Sequence, residues 1–201
     1  MKKLYFVLMF VLVLSLTACE FKLVPEETTD SSDDTAYDYE SDYNYEDDYD
    51  YDYNYDYDID PYVSVEGDFS VKFLGTPDLS IEPIETDYGV FDMHFYTYED
   101  SYYKAYMLAY IDYPDELFED KDVDLILEDV VGGMTEGMNV DYTGDLSKDG
   151  YPGKAVSAND GEMYMDADLF LVGNRLYQVA VVDFYSYAVD AFEFLDSFEL
   201  L

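Results

Sequence analysis

The stretch from Pro25 to Asp60 limits what this chain can fold into, because it offers almost nothing to a hydrophobic core. It contains 16 Asp and Glu residues, no Lys or Arg, and almost no aliphatic side chain. Its centre repeats Tyr-Asp and Tyr-Asn with a period of two, which nominally indicates a strand. The neighbouring like charges would repel each other, and high net charge with few aliphatic residues predicts disorder. Residues 19–60 are therefore predicted to form a disordered spacer, and the folded domain is expected from residues 61–201.

Calcium binding by acidic residues is an alternative function for this spacer, since carboxylates are hard ligands for that ion. Two triplets imitate the opening of an EF-hand loop, namely Asp50, Asp52 and Asn54 in the spacer and Asp120, Asp122 and Asp124 further on. Both triplets lack the Gly at position six and the Glu at position twelve that such a loop needs. For the second triplet, an acidic start to a helix is the better explanation.

The beginning of the chain has the pattern of a secretory signal peptide. Lys2 and Lys3 precede about a dozen apolar residues, fewer than a membrane-spanning helix needs, and the run ends in Leu16-Thr17-Ala18-Cys19. This ending resembles a bacterial lipobox, which implies cleavage after residue 18 and lipid attachment at Cys19. Residues 1–18 are thus predicted to be a lipoprotein signal peptide. The mature protein is expected on the extracytoplasmic face of a bacterial membrane, held there by its lipid.

The charge of residues 61–201 restricts the partners of the domain. It holds 31 acids against six Lys and Arg, a net charge of −25. Nucleic acid is excluded as a partner, because phosphate binding needs clustered Lys and Arg. The membrane is expected to be contacted through the lipid, and a protein partner in the envelope is expected to be cationic or recognised by shape. Solubility or a saline habitat explains the acidity equally well.

Hydrophobic patterning predicts an α+β domain. Alternating apolar residues predict strands near residues 69–73 and 90–98, and residues 102–113, apolar on both faces, are expected to form a central strand. Further strands are predicted near residues 139–146, 153–158, 163–172 and 175–184. Spacings of three and four residues predict one helix over 120–138 and a second at the C-terminus, with Ser186 as its N-cap. Asn159-Asp160-Gly161 and Gly173-Asn174 are predicted to be tight hairpin links.

Several segments together resemble the PsbP-like domains of bacterial proteins: Gly67-Asp68-Phe69-Ser70-Val71, Gly75-Thr76-Pro77, the strand ending in Asp112-Tyr113-Pro114, Tyr151-Pro152-Gly153-Lys154-Ala155, residues 169–178 and Phe194-Leu195-Asp196-Ser197-Phe198. The similarity covers about 130 residues and consists of scaffold positions. It implies a central antiparallel sheet flanked by helices, an α/β/α sandwich. It implies little about activity, because that fold serves adaptor and assembly roles, and it carries no catalytic residue over to this chain.

Candidate catalytic residues are few. His94 is the single histidine and is expected to face solvent or a cap on its strand, and Arg175 is expected to pair with nearby carboxylates. Zinc sites of the usual composition cannot be assembled from one His and one lipidated Cys. No serine-hydrolase elbow, His-Glu-x-x-His helix or phosphate-binding loop occurs.

The sequence therefore predicts no catalytic residue, no metal site and no cofactor. The expected function is a non-enzymatic binding or assembly module that is displayed on an acidic spacer in the cell envelope. Cation binding is the first alternative. A hydrolase that uses a pair of carboxylates is the second, although 31 acids make any particular pair uninformative.

Overall fold

The structure is a computed structural model that describes residues 59–86, 89–100, 103–118, 121–188 and 190–201. The predicted signal peptide, Cys19 and all but the last two residues of the predicted spacer lie outside these ranges. Within them, no helix combines the length and the apolar character needed to cross a membrane.

Most of the described chain is β-structure. Its strands are β1 (Tyr62–Ser64), β2 (Phe69–Val71), β3 (Asp78–Thr86), β4 (Gly89–Glu99), β5 (Lys104–Asp112), β6 (Asn139–Lys148), β7 (Tyr151–Asn159), β8 (Tyr164–Val172), β9 (Arg175–Asp183) and β10 (Glu199–Leu200). Its helices are a 3-10 turn (Asp115–Leu117), α1 (Val123–Met134) and α2 (Ala191–Asp196).

The main sheet has seven antiparallel strands in the order β3-β4-β5-β9-β8-β7-β6. It consists of two meanders that join where β5 pairs with β9, so those two strands lie near the middle. A second, three-stranded antiparallel sheet has the order β1-β2-β10. Because side chains alternate along each strand, the main sheet buries one set of apolar residues on each face.

The two faces carry two separate hydrophobic clusters. One face packs against α1, which contributes Leu127, Val130 and Met134. The opposite face is rich in aromatic residues and is covered by the small sheet and by α2, which contributes Phe194 and Leu195. The clusters hold 20 and 15 buried residues respectively, so the main sheet is a central layer with a core on each side.

The predicted α/β/α sandwich is wrong, and with it the α+β class in which helices flank both faces. The face opposite α1 is covered mainly by the small sheet, and α2 has only six residues. The C-terminal apolar stripe does not continue as a helix, because Glu199 and Leu200 pair with β2. Ser197 stabilises this exit, since its hydroxyl accepts a hydrogen bond from the Lys72 amide over 3.0 Å.

Other element predictions are confirmed with shifted ends. The strands predicted at 90–98 and 102–113 are β4 and β5, and Gly161 and Gly173 have the positive φ that their hairpin links need. The helix predicted over 120–138 is shorter, and Asp122 is its N-cap, accepting a hydrogen bond from the Asp124 amide. The N-cap position of α2 is held by Asp190 and not by Ser186.

Candidate functional site

A concave pocket lies where the β6 edge of the main sheet meets α2. It has a volume of about 220 Å³. Its walls come from three neighbouring strands and from the C-terminal segment, and they combine small apolar, aromatic and acidic side chains. The lining residues are Tyr142 of β6, Ala155, Val156 and Ser157 of β7, Asp166, Ala167 and Asp168 of β8, and Ala188, Ala191, Phe192 and Leu195.

The two-residue repeat of β8 places two carboxylates on one wall of this pocket. Met165, Ala167 and Leu169 face the α1 side of the sheet and are buried there. Asp166 and Asp168 therefore face the opposite side, where α2 lies, about 6.6–6.8 Å apart along the strand. Asp166 and Asp168 line the pocket, whereas Phe170, the next residue on this face of β8, is buried in the aromatic cluster.

The surroundings of Asp168 disfavour its charge. Burial, followed by the negative charge of Asp196 on α2, raises the pKa of Asp168 to about 6, and Lys148 on β6 opposes this shift only in part. Among the residues that the structure describes, none forms a hydrogen bond or salt bridge with the carboxylate of Asp168. A carboxylate that the fold destabilises, and that sits in a cleft, is typical of functional sites.

Asp166 is oriented by its neighbour on β7. The Ser157 hydroxyl donates a hydrogen bond to Asp166 Oδ1 over 2.5 Å, and the two residues are directly paired across the strands. Burial raises the pKa of Asp166, and this hydrogen bond lowers it in part. The pocket therefore contains one carboxylate fixed by a hydrogen bond and a second, Asp168, without such a partner.

Two aromatic side chains at the rim of the pocket are exposed. Tyr142 is 58% exposed and Phe192 is 60% exposed. Gly144, two residues beyond Tyr142 on β6, leaves room for the tyrosine ring, because a Cβ there would overlap the Tyr142 hydroxyl. Large exposed aromatic side chains beside a concave surface are typical of binding sites.

The segment between β9 and α2 is attached to the sheet beside the pocket. The Tyr187 hydroxyl donates a hydrogen bond to Asp141, and the Asn159 side-chain amide donates to the same carboxylate over 2.7 Å. The Tyr187 ring also packs edge-on against Tyr164, with 5.2 Å between centroids. These contacts hold Ala188, one residue later, at the pocket wall.

Another concavity, of about 270 Å³, is lined by residues 59, 60 and 62 and by residues 73–77. Its side chains are mostly apolar, and it brings in a single carboxylate, Asp60. It lies where the described domain begins. The pocket beside α2 is the better candidate, because it combines convergent acids with perturbed pKa values.

Arg175, which the sequence singled out, lies away from this pocket. Its Nε and Nη2 atoms donate to the two carboxylate oxygens of Asp112 over 2.6 and 2.8 Å, which confirms the expected pairing with a nearby acid. Nη1 of Arg175 donates a third hydrogen bond, of 3.2 Å, to the Glu66 carbonyl oxygen. The guanidinium lies 4.5 Å from the centroid of the Tyr110 ring. Arg175 thus attaches the β1–β2 connection to the main sheet.

His94 is part of the same aromatic region. Its ring stacks on Tyr110 at a centroid distance of 4.4 Å and an angle of 13°, and it is half-buried. The expected solvent-facing or capped position is therefore only partly right. His94 and Arg175 both contact Tyr110, in the aromatic cluster, and neither lines the acidic pocket.

The pair of acids was missed by sequence reasoning. A signal was present, since Asp166 and Asp168 interrupt one face of an otherwise apolar strand, but 31 acids in the domain conceal any particular pair.

Across the described ranges, no group of three or more His, Cys, Asp and Glu side chains is arranged to hold a metal ion. No protein-family model and no curated protein matches the chain.

Proposed function

We propose that this protein is a lipid-anchored component of a bacterial cell envelope, whose β-rich domain binds a cationic envelope component without transforming it. Cys19 holds the lipid, residues 19–60 separate the domain from the membrane, and the acidic pocket beside α2 is the binding site.

The observation that carries this proposal is the pocket wall formed by Asp166 and Asp168. Burying a carboxylate disfavours its charged form, and burial together with the charge of Asp196 raises the pKa of Asp168. A cation in the pocket would offset the cost by favouring the charged form. The net charge of −25 on the domain also attracts cationic partners over distances of about a Debye length.

Replacing Cys19→Ser tests the anchor. We expect the wild-type protein in the membrane fraction of the native host and the variant in the medium or periplasm, with Ser32→Ala in the spacer as a control that stays with the membrane. Retention of Cys19→Ser in a detergent-extractable membrane fraction contradicts the anchoring.

Partner capture from crosslinked cells tests the binding role. We expect a cationic envelope component to crosslink to the wild-type protein and to be lost from Asp168→Asn, while the exposed Asp92→Asn variant retains it. Equal capture by all three proteins contradicts the assignment of the pocket.

A hydrolase that uses the Asp166–Asp168 pair is the second candidate. In its favour, Asp166 and Asp168 line the same pocket, and burial raises the pKa of Asp168 to about 6, which suits a general acid. The cavity of about 220 Å³ is smaller than the ~300–1,000 Å³ of usual small-molecule sites, which favours binding of one small group. Release of reducing sugar from envelope polysaccharide by the wild type, lost in Asp166→Asn and Asp168→Asn alike, would establish the hydrolase instead.

A further inference from the structure

We infer that the pocket beside α2 receives a single primary alkylammonium group, with its methylene chain on the apolar wall and its nitrogen between Asp166 and Asp168. This inference rests on the proposed function and specifies the chemistry of its ligand. The ligand is either the side chain of a lysine on a partner protein or a free aliphatic amine, and both sources present the same group.

The size of the cavity sets the size of the ligand. The cavity volume of about 220 Å³ lies below the ~300–1,000 Å³ of usual small-molecule sites, so the cavity suits a small group with few non-hydrogen atoms. A lysine side chain from Cβ to Nζ, or n-butylammonium, has five. A peptide segment or a disaccharide is too large to enter completely.

The charges around the cavity select a cation. Asp166 and Asp168 lie in the wall, and Asp196 on α2 is close enough to act on Asp168. Lys148 is the cation that opposes them, but its ammonium lies 5.5 Å from the centroid of the Phe198 ring and forms no salt bridge with Asp168. The local charge is therefore left unbalanced, and an incoming cation would neutralise it.

The spacing of the acids favours an ammonium over a guanidinium group. Asp166 and Asp168 are about 6.6–6.8 Å apart along β8, and a compact ammonium has three donors that can reach two separate carboxylates. A guanidinium instead prefers both oxygens of one carboxylate, as Arg175 does with Asp112. The Asp166 oxygen bonded to Ser157 is less accessible to such a fork.

The apolar wall accepts the methylene chain. Ala155, Ala188, Ala191 and Leu195 supply small alkyl surfaces, while the exposed rings of Tyr142 and Phe192 flank the mouth. Alkyl stems of amines pack favourably on such surfaces, and aromatic rings attract cations. Short neutral alcohols would gain the apolar contact but not the charge interaction.

Binding is expected to depend on pH through Asp168, with Asp196, Lys148 and Asp166 as the charged groups that face it. With a pKa of about 6, Asp168 is almost fully charged at pH 8 and about one tenth charged at pH 5. The affinity for an ammonium should therefore fall about tenfold between these pH values.

An NMR titration of the full-length lipoprotein in neutral detergent tests the inference. n-Butylammonium is added while the methyl signals of Ala155 and Ala191 are followed, with n-butanol and n-butylguanidinium as comparison probes. We expect a dissociation constant of about 1–10 mM for the ammonium at pH 8. It should be about tenfold weaker at pH 5, and the two comparison probes should bind at least fivefold more weakly than the ammonium.

Two variants with the same change in charge locate the site. Asp168→Asn should weaken ammonium binding at least tenfold and abolish its pH dependence, while Asp92→Asn on β4 should change it by less than twofold. Equal weakening in both variants, equal binding of n-butanol, or affinity independent of pH would each overturn the inference. Such a result leaves the anchoring of Cys19 intact, because cell fractionation tests that separately.

Nα-acetyl-lysine methylamide distinguishes the two sources of the ammonium group. Binding within twofold of n-butylammonium supports a lysine side chain, since the attached backbone is then tolerated at the mouth. Binding at least fivefold weaker supports a free amine. Failure of both probes to shift the Ala155 and Ala191 signals overturns the inference for either source.

Discussion

Two neighbouring tyrosines beneath the small sheet use their hydroxyl groups differently. Tyr177 donates a buried hydrogen bond of 2.8 Å to the Gly67 carbonyl oxygen. Tyr110, its cross-strand partner, has a buried hydroxyl without a hydrogen-bond partner in the described chain. Both rings are almost fully buried, so their apolar contributions are similar. The pair therefore isolates the contribution of one hydrogen bond within a single cluster.

Tyr177→Phe should lower the free energy of unfolding by about 1–2 kcal/mol, because the buried Gly67 carbonyl loses its donor. Tyr110→Phe should leave it unchanged or raise it slightly, since a buried hydroxyl without a partner is removed. Urea denaturation of the two variants and the wild type gives both values. Equal destabilisation by the two changes would contradict the assigned difference.

Asp168 is predicted to lower the free energy of unfolding by an amount that depends on pH. The fold raises the pKa of Asp168 from 3.8 to about 6, so the charged form is disfavoured in the native state. The cost is absent below the unfolded pKa and complete above the folded pKa. Asp168→Asn should therefore raise the free energy of unfolding by about 2–3 kcal/mol at pH 7.5 and by about half as much at pH 5.

Urea denaturation of Asp168→Asn at both pH values checks this, and both lie above the isoelectric point of about 4.1, where precipitation is expected. Asp92→Asn, exposed on β4, serves as the control for a simple change in net charge. A gain that is the same at pH 5 and 7.5 would show that Asp168 does not titrate as described.

At the scale of elements, two glycines on neighbouring structures should respond oppositely to an added methyl group. Gly132 lies in the last turn of α1, where a Cβ would have no neighbour within 4 Å. Gly153 lies in β7, where a Cβ would overlap the Leu169 carbonyl oxygen and lie 2.7 Å from the Phe170 ring. Gly132 therefore only destabilises α1, whereas Gly153 is required by the close approach of β7 and β8.

Gly132→Ala should raise the free energy of unfolding by about 0.5–1 kcal/mol, because alanine restricts the unfolded chain and favours the helix. Gly153→Ala should lower it by about 1–3 kcal/mol through overpacking. Thermal and chemical denaturation compare the two variants directly. A stabilised Gly153→Ala protein would mean that β7 and β8 are further apart than the structure places them.

Sequence patterning predicted elements well where local signals and tertiary contacts agree. Strands β5 and β9, near the middle of the sheet, are apolar on both faces and are buried there, while β4 and β8 beside them show partial alternation. Strand β3 was missed because Pro83 interrupts its pattern, and a proline is tolerated there because β3 lies at the sheet edge. The early end of α2 was missed for a different reason. The helical pattern of apolar residues continues to Phe198, but the chain leaves the helix because Glu199 pairs with β2.

At the scale of the whole molecule, the sequence pattern predicted most strands of the domain but not the pocket beside α2. The pocket depends on which faces of β6, β7 and β8 meet α2, and that follows from the order of strands in the sheet. Asp166 and Asp168 become distinct from the other acids because burial raises the pKa of both, and the charge of Asp196 adds to the effect at Asp168. Such differences arise from three-dimensional placement, so a linear count of acids does not reveal them.

The same acidity should make the stability of the domain depend on salt. With 31 acids and six cations in residues 61–201, like charges repel each other across the surface, and the ion pairs of Lys104 with Asp190 and of Lys154 with Asp145 offset little of it. Salt shortens the Debye length from about 30 Å at 0.01 M to about 8 Å at 0.15 M, which weakens that repulsion. Raising NaCl from 10 to 300 mM should therefore increase Tm by about 3–6 °C.

Differential scanning calorimetry of the full chain at pH 7.5 measures this increase, and KCl at equal concentration controls for specific effects of sodium. Screening predicts the same gain for both salts, with most of it reached by about 150 mM, because the Debye length changes little beyond that. If attractive ion pairs such as Arg175 with Asp112 dominated the surface instead, salt would lower Tm. The sign of the change thus decides whether repulsion or pairing governs the electrostatics of the domain.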